Sequence, residues 1–298
     1  MSVLSHSDSP GPIRSSSACR RLLIAVFVLG FRPPVASAEP ITGIVSFGDS
    51  LSDTGNLFAA TGQPPAPYYQ GRFSNGPVWV EHLAQALGLA APTPSVLGGT
   101  DYAWGGAETG SGTVSGGIAN MGLQVASYLA GNTPLPTQLF TLWGGGNDFF
   151  DGQTNPSVPV SNIGSEITSL AGAGARMFMV LNLPQLGDVP GSLGLPQAQR
   201  DGLSQLSLAF DTSLHAELDQ LRQGLGVTIF EIDVNGLLQR VQANPSAYGF
   251  ANATTGAVND GVLSGQGYLF WDDVHPTTQA HERLAEAALR VLRVPQAP

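Results

Sequence analysis

Four short stretches of this chain carry side chains suited to acyl transfer. "GDSLSDTGN" (Gly48–Asn56) places Ser50 just where an apolar run ends. "DYAWGGA" (Asp101–Ala107) contributes a glycine pair, and "WGGGND" (Trp143–Asp148) sets Asn147 directly behind a second apolar run. "WDDVHPT" (Trp271–Thr277) holds Asp272 three residues before His275. Acyl transfer by a serine needs a base, a group that orients the base, and donors for the developing oxyanion. Ser50 suits the nucleophile and His275 the base. Asp272, across a tight turn, suits the orienting carboxylate. The N–H groups of Ser50 and Gly106 and the side-chain amide of Asn147 suit the oxyanion hole.

Plainer readings compete at each position. Gly, Asp, Ser and Asn dominate turns for backbone reasons, which alone would explain Ser50. Asn147, after three glycines, suits a left-handed conformation. Gly105 and Gly106 suit close packing, and Gly105 rivals Gly106 as the donor. Asp273 rivals Asp272, or caps a turn. His82, His215 and His281 fall in helical stretches with polar neighbours and read as solvated or core-edge residues. No G-x-S-x-G elbow, no H-E-x-x-H and no cysteine cluster occurs, and "GGGND" lacks the Lys-Ser/Thr of a phosphate loop. The chemistry calls for no metal and no cofactor.

The elements that must position these residues follow from apolar patterning. Strands are expected at Ile41–Phe47, Gln138–Trp143, Met177–Leu183 and Val227–Ile232, each short, apolar and bounded by breakers, with a weaker fifth at Thr100–Trp104. Helices are expected at Val78–Leu87, Met121–Leu129, Ile163–Leu170 and from about Gln197 to Leu221. In the last, Leu203, Leu206, Phe210, Leu214, Leu218 and Leu221 form one stripe. Pro276 is expected to open a final helix with Leu284, Ala287, Ala288 and Val291 facing inward. Such alternation predicts a parallel α/β sheet, whose ligands bind beyond the carboxyl ends of the strands. Ser50 lies there. Thr61–Gly76, Leu97–Gly117 and Ala243–Gly267 are long polar or Gly-rich loops. The first carries Tyr68, Tyr69 and Phe73, candidates for the wall of an apolar cleft or simply surface aromatics.

Taken together, the four blocks resemble the GDSL or SGNH hydrolase family. They are most similar to its secreted bacterial lipases, esterases and lipid acyltransferases, and "GRFSNGPVWVEHLA" and "NLPQLGDVP" share that likeness. The resemblance implies a three-layer α/β/α fold around a mostly five-stranded parallel sheet. It also implies Ser50 as nucleophile, Asp272 and His275 as orienter and base, and Gly106 and Asn147 as oxyanion donors. The family's second block usually reads Asn-x-Ala-x-Gly-Gly, whereas this chain has Asp101 in the Asn position. The expected activity is hydrolysis of carboxylic acyl esters. A lipid acyltransferase or phospholipase of the same fold and a non-catalytic surface-binding module are the rival readings.

Composition frames the setting. Arg20 and Arg21, the ten apolar residues Leu22–Phe31 and Ala36-Ser37-Ala38 have the order of a secretory signal peptide, cleaved after Ala38. A transmembrane anchor would need about 20 apolar residues. The expected product is exported, extracellular or periplasmic, and comprises residues 39–298 as one domain. Cys19, the only cysteine, leaves with the signal. What remains has 8 Arg against 21 acidic residues, a balance of −13 with no Lys. That surface repels phosphate backbones and excludes nucleic acid as a partner. The expected partners are small-molecule or lipid esters, with transient contact at lipid surfaces.

Overall fold

Four parallel strands make the central sheet: β1 (Gly43–Gly48), β2 (Gln138–Trp143), β3 (Met177–Leu181) and β4 (Thr228–Ile232), side by side in that order. The computed structural model describes Gly11 and residues 40–293, so the segment expected to act as a signal peptide lies, apart from Gly11, outside the described residues. Gly48 stands beside Trp143 and Leu181 beside Ile232, so the strands finish nearly level. The fifth strand survives as a ribbon. Thr100–Trp104 runs parallel to β1 through a bridge at Ser46 and Asp101, with Tyr102 N–H donating to the Ser46 carbonyl (2.7 Å) and Trp104 N–H to Gly48 (3.1 Å).

With that ribbon counted, the chain visits the sheet positions in the order 2-1-3-4-5. The direction of winding reverses between β1 and β2, which opens a crevice at their carboxyl ends. "GDSL" leaves β1 and "GGGND" leaves β2 at this place.

The strands are apolar throughout because both faces are covered. Side chains alternate across the pleat. Val45, Phe47, Phe140, Leu142, Phe178 and Val180 pack on one side, against α3 (Met121–Gly131), α5 (Ser157–Ala173) and α6 (Gln197–Leu225). Ile44, Leu139, Trp143, Met179 and Leu181 pack on the other, with Leu83 of α2 (Trp79–Leu87) and Leu284 and Ala288 of α8 (Thr278–Arg293). Shorter helices are α1 (Asn56–Thr61), α4 (Gly146–Phe150) and α7 (Val234–Ala243), and Pro190–Leu193 forms a single further helical turn. Three layers result, as expected. The expected stripe of α6 faces the core, with Phe210, Leu214 and Leu218 fully buried and Leu203, Leu206 and Leu221 packed beside them.

Several boundaries differ from the sequence expectation. The helix expected over Ile163–Leu170 spans Ser157–Ala173. The last helix begins at Thr278 rather than Pro276. Pro276 is held in a bridge to Phe270, and Thr277, bonded through its N–H to the Leu269 carbonyl, turns its hydroxyl to the Ala280 N–H (3.3 Å). That start rotates the buried face, so Ala285 joins Leu284 and Ala288 inside while Ala287 and Val291 are only half-buried. The long 243–267 loop contains a strand, β5 (Asn252–Gly256), paired irregularly with β6 (Tyr268–Phe270).

Candidate active site

Ser50 sits in the turn that leaves β1 and is 92% buried. The turn closes on Asp49: its carbonyl accepts from the N–H groups of Ser52 (3.1 Å) and Asp53 (3.0 Å), and its carboxylate accepts from Leu51 N–H (2.9 Å). β1 itself is pinned from below by Gln124 of α3. The Gln124 side chain accepts from Gly48 N–H (2.9 Å) and donates to the Gly48 carbonyl (2.8 Å).

The Trp271–Thr277 turn brings the histidine to the serine across 225 residues. Trp271 N–H donates to the His275 carbonyl (2.7 Å), and Asp272 Oδ1 accepts from the N–H groups of Val274 (2.8 Å) and His275 (2.7 Å). In this closed turn His275 Nδ1 lies 2.8 Å from Asp272 Oδ2, and Nε2 lies 2.8 Å from Ser50 Oγ. With Asp272 ionised, Nδ1 carries the proton and Nε2 is left to accept from the serine hydroxyl. Burial alone would raise the Asp272 pKa. The hydrogen bond and charge of His275, with the two backbone donors, outweigh it and hold the carboxyl down at about 2. Asp273 points elsewhere: its carboxylate accepts from the Asn259 amide, and its carbonyl accepts from Gly191 N–H.

Two residues of the long 61–76 loop close on this pair. Tyr68 donates its hydroxyl to Asp272 Oδ2 (2.8 Å), and the Phe73 ring lies 4.9 Å from the His275 ring, centroid to centroid. Burial, and then the neighbouring Asp272 charge, push the Tyr68 phenol well above its ordinary range, so it stays a donor. Tyr69 takes no part and is partly exposed.

The second block answers the question between its two glycines. Gly105 N–H donates to Asp53 Oδ2 (2.9 Å), and a Cβ on Gly105 would lie 2.3 Å from Phe73. Its donor is spent and its surface packed. Gly106 has a φ of 83°, which favours glycine, and among the described residues neither its N–H nor that of Ser50 meets an acceptor. Asn147 opens α4 in a helical conformation; the left-handed position belongs to Gly145. One Asn147 amide hydrogen donates to the Ala107 carbonyl (2.9 Å), which leaves the other free.

Asp101 is served by neighbours. Its Oδ2 accepts from Thr54 N–H (2.6 Å) and lies 2.7 Å from the Thr54 hydroxyl, while Oδ1 accepts from Ala103 N–H (3.1 Å). Burial, and then the nearby Asp53, raise its pKa far above the usual carboxylate range. Asn56 straps the same ribbon by donating to the carbonyls of Asp101 (2.8 Å) and Ala103 (2.9 Å). The Gly106 loop is thus held although the usual Asn is replaced.

Among the described residues three further histidines stand apart from this relay. His82 lies 3.0 Å from the Thr278 hydroxyl, His215 is exposed beside Glu231 (2.8 Å), and His281 is fully buried. Among the described residues no group of three His, Cys, Asp or Glu side chains is placed to hold a metal ion. No described helix is long and apolar enough to cross a membrane.

Sequence reasoning missed Asp49, Asp53 and Gln124, and left Tyr68 and Phe73 undecided. Asp53 had a local signal, because an Asp two residues before Gly-Asn suggests a carboxylate bonded to the backbone donors that follow. It accepts from Gly55 N–H (2.7 Å) and Asn56 N–H (2.6 Å). Gln124 had none.

A hydroxyl, an imidazole and a carboxylate in line at the carboxyl edge of a parallel sheet form an arrangement suited to acyl transfer through a serine. Residues 44–288 match the GDSL-like lipase/acylhydrolase model, and the chain belongs to that family. It is 30% identical to the thermolabile hemolysin of Vibrio parahaemolyticus over 84% of this chain and 64% of that protein, so it spans just under two thirds of that relative. It is 28% identical to the phosphatidylcholine-sterol acyltransferase of Aeromonas hydrophila, over 85% of this chain and 90% of that protein. The fold is also similar to that of a lipolytic G-D-S-L family protein from Veillonella parvula, with a TM-score of 0.50, 18% identity and coverage of 85% of this chain and 100% of the other.

Proposed function

We propose that the protein is an exported esterase that hydrolyses carboxylic acyl esters, lipid esters among them, through an acyl-enzyme on Ser50. The observation that carries this reading is the unbroken relay Asp272–His275–Ser50, with both links at 2.8 Å. Ser50 Oγ attacks the acyl carbonyl while His275 Nε2 takes its proton. The negative charge forming on the carbonyl oxygen is met by the N–H groups of Ser50 and Gly106 and by the free amide hydrogen of Asn147. His275 then returns the proton to the departing alcohol. Water, deprotonated by His275, attacks the acyl-Ser50 ester and releases the acid. Asp272 fixes the tautomer and balances the imidazolium. No cofactor enters these steps.

The test is pre-steady-state turnover of a p-nitrophenyl ester. The wild type should release nitrophenol in a burst stoichiometric with enzyme, and Ser50→Ala, native by circular dichroism, should release none. Export rests on the N-terminal pattern, and the intact mass of the secreted protein should correspond to a chain beginning at Glu39.

A second reading, acyl transfer to an alcohol, is favoured by the similarity to the Aeromonas hydrophila acyltransferase over 90% of its length. The acyl-Ser50 intermediate is the same, and only the acceptor differs. Product analysis with and without an added alcohol separates the two.

A further inference from the structure

The groove between α3 and α5 carries chemistry that the Ser50 relay does not use. It encloses about 620 Å³, open in part to solvent, and none of Ser50, His275, Asp272 or Asn147 lines it. Residues at helical spacing face it from both sides: Gly122, Val125, Ala126 and Leu129 of α3, and Asn162, Ser165, Glu166 and Ser169 of α5. One wall is therefore small and apolar, and the other polar. Thr109 lies at the Asn162 end, bonded to it.

Glu166 forms the floor. It is 96% buried, and among the described residues no protein group bonds either of its carboxyl oxygens. Helical side chains lean toward the N-terminus of their helix, which points Glu166 toward Asn162 and Thr109 along the groove. A buried polar group without a partner is rare and calls for a reason. Burial, and then the Asp148 charge, push its pKa well above the usual carboxylate range, so on its own the group is a neutral acid. The elements around it bring Glu108, Asp148, Tyr128, whose hydroxyl faces Gln138, and Glu217 beside Gly164. Arg222 of α6 is turned to Asp219 and the Ile229 carbonyl. Among the described residues no cation reaches Glu166.

The other polar groups of the groove are acceptors as well. The Asn162 amide donates to the Thr109 hydroxyl (3.0 Å), which donates in turn to Asp148 (2.7 Å). Ser165 and Ser169 each donate to a carbonyl one turn back in α5 (2.8 Å), so they face the groove with lone pairs only. Acceptors around one carboxyl, with an apolar wall opposite, suit an ion that has several N–H donors and a hydrocarbon stem. A metal ion is a poorer match, since no three His, Cys, Asp or Glu side chains converge among the described residues.

We propose that this groove binds a primary alkylammonium ion, with the ammonium on Glu166 and the stem along Val125 and Leu129. As the ammonium enters, the Glu166 carboxyl gives its proton to solvent, and the ligand N–H groups bond the carboxylate that remains. The site is separate from the relay and holds whether or not the Ser50 reading does.

The test is isothermal titration calorimetry of the whole protein with n-butylammonium chloride. Tetramethylammonium, which has the charge without an N–H, and calcium are titrated beside it. Butylammonium should bind with one site per chain, tighten as pH rises from about 5 to 7, and release close to one proton. The proton is read as a difference in heat between phosphate and HEPES buffers, and the other two ions should not bind. Glu166→Gln keeps the shape and never ionises; it should weaken binding roughly tenfold to a hundredfold and abolish the proton release. Should that variant fail to fold, Ala126→Phe, which narrows the groove from an exposed position on α3, is read in its place and should lose binding. Absence of butylammonium binding, equal binding to the folded variant, equal binding of tetramethylammonium, or capture of calcium instead overturns the inference.

Discussion

Tyr68 donates its hydroxyl to Asp272 Oδ2 at 2.8 Å, joining two residues 204 positions apart. The two backbone donors to Asp272 both lie on Oδ1, so Tyr68 alone complements His275 on Oδ2. Tyr68→Phe should therefore leave the carboxylate less well held, lowering kcat roughly tenfold, as the loss of a hydrogen bond to a charged group does. Asp272 would also protonate at a higher pH than the present value of about 2. Steady-state kinetics on the folded variant check the loss, and an unchanged kcat would mean that Tyr68 only packs.

Asp272 and Asp273 are neighbours with different work. Asp272→Ala should lower kcat/KM by roughly 10³–10⁴, the cost of losing the group that holds the base. Asp273→Ala breaks only the contact with Asn259 and should leave kcat/KM nearly unchanged. Steady-state kinetics on both, with circular dichroism to confirm folding, decides between them. The reverse order would move the orienting role to Asp273.

Asn147 has one amide hydrogen committed to Ala107 and one free. Asn147→Ala should cost about 10²–10³ in kcat with little change in KM. Near-normal kcat in a folded variant would reduce Asn147 to a structural residue of α4.

Asp49 lies beside Ser50 and is almost fully buried. Burial pushes its pKa up to about 7, against the Leu51 backbone donor and the His275 charge, which lower it. A carboxyl with a raised pKa binds its proton more tightly folded than unfolded. Its contribution is whole below about pH 4, where the unfolded chain is also protonated, and is lost as pH rises toward 7. Asp49→Asn keeps the acceptor for Leu51 and never ionises. Its melting temperature relative to wild type should be higher at pH 8 than at pH 4, and equal offsets at both would show that Asp49 is not held protonated.

Much of this arrangement is legible in the residues. Ser50, Asp272, His275 and Asn147 each follow or close a short apolar segment, and a parallel sheet brings such ends to one edge. What escaped depends on contacts between segments far apart in the chain. Nothing near Gln124 marks it as the clamp on Gly48, 76 residues earlier. Tyr68 and Phe73 stood in a loop without periodicity, and only the packed structure sets them against Asp272 and His275. Gly105 and Gly106 are alike as letters, and the Asp53 carboxylate is what distinguishes their N–H groups. β5 was missed because "NATTG" lacks apolar alternation and pairs irregularly. The start of α8 was misplaced because Pro276, suited to a first turn, is drawn into a bridge with Phe270.

The central claim is that Ser50 is the nucleophile, and the most direct test is mass spectrometry of the protein after reaction with an activated phosphonate ester. Attack by Ser50 Oγ forms a serine–phosphorus bond and expels the leaving group. The account predicts a single adduct, mapped to the peptide carrying Ser50, with complete loss of ester hydrolysis and no labelling of Ser50→Ala. An adduct on another residue, or full inhibition with Ser50 unmodified, would contradict it.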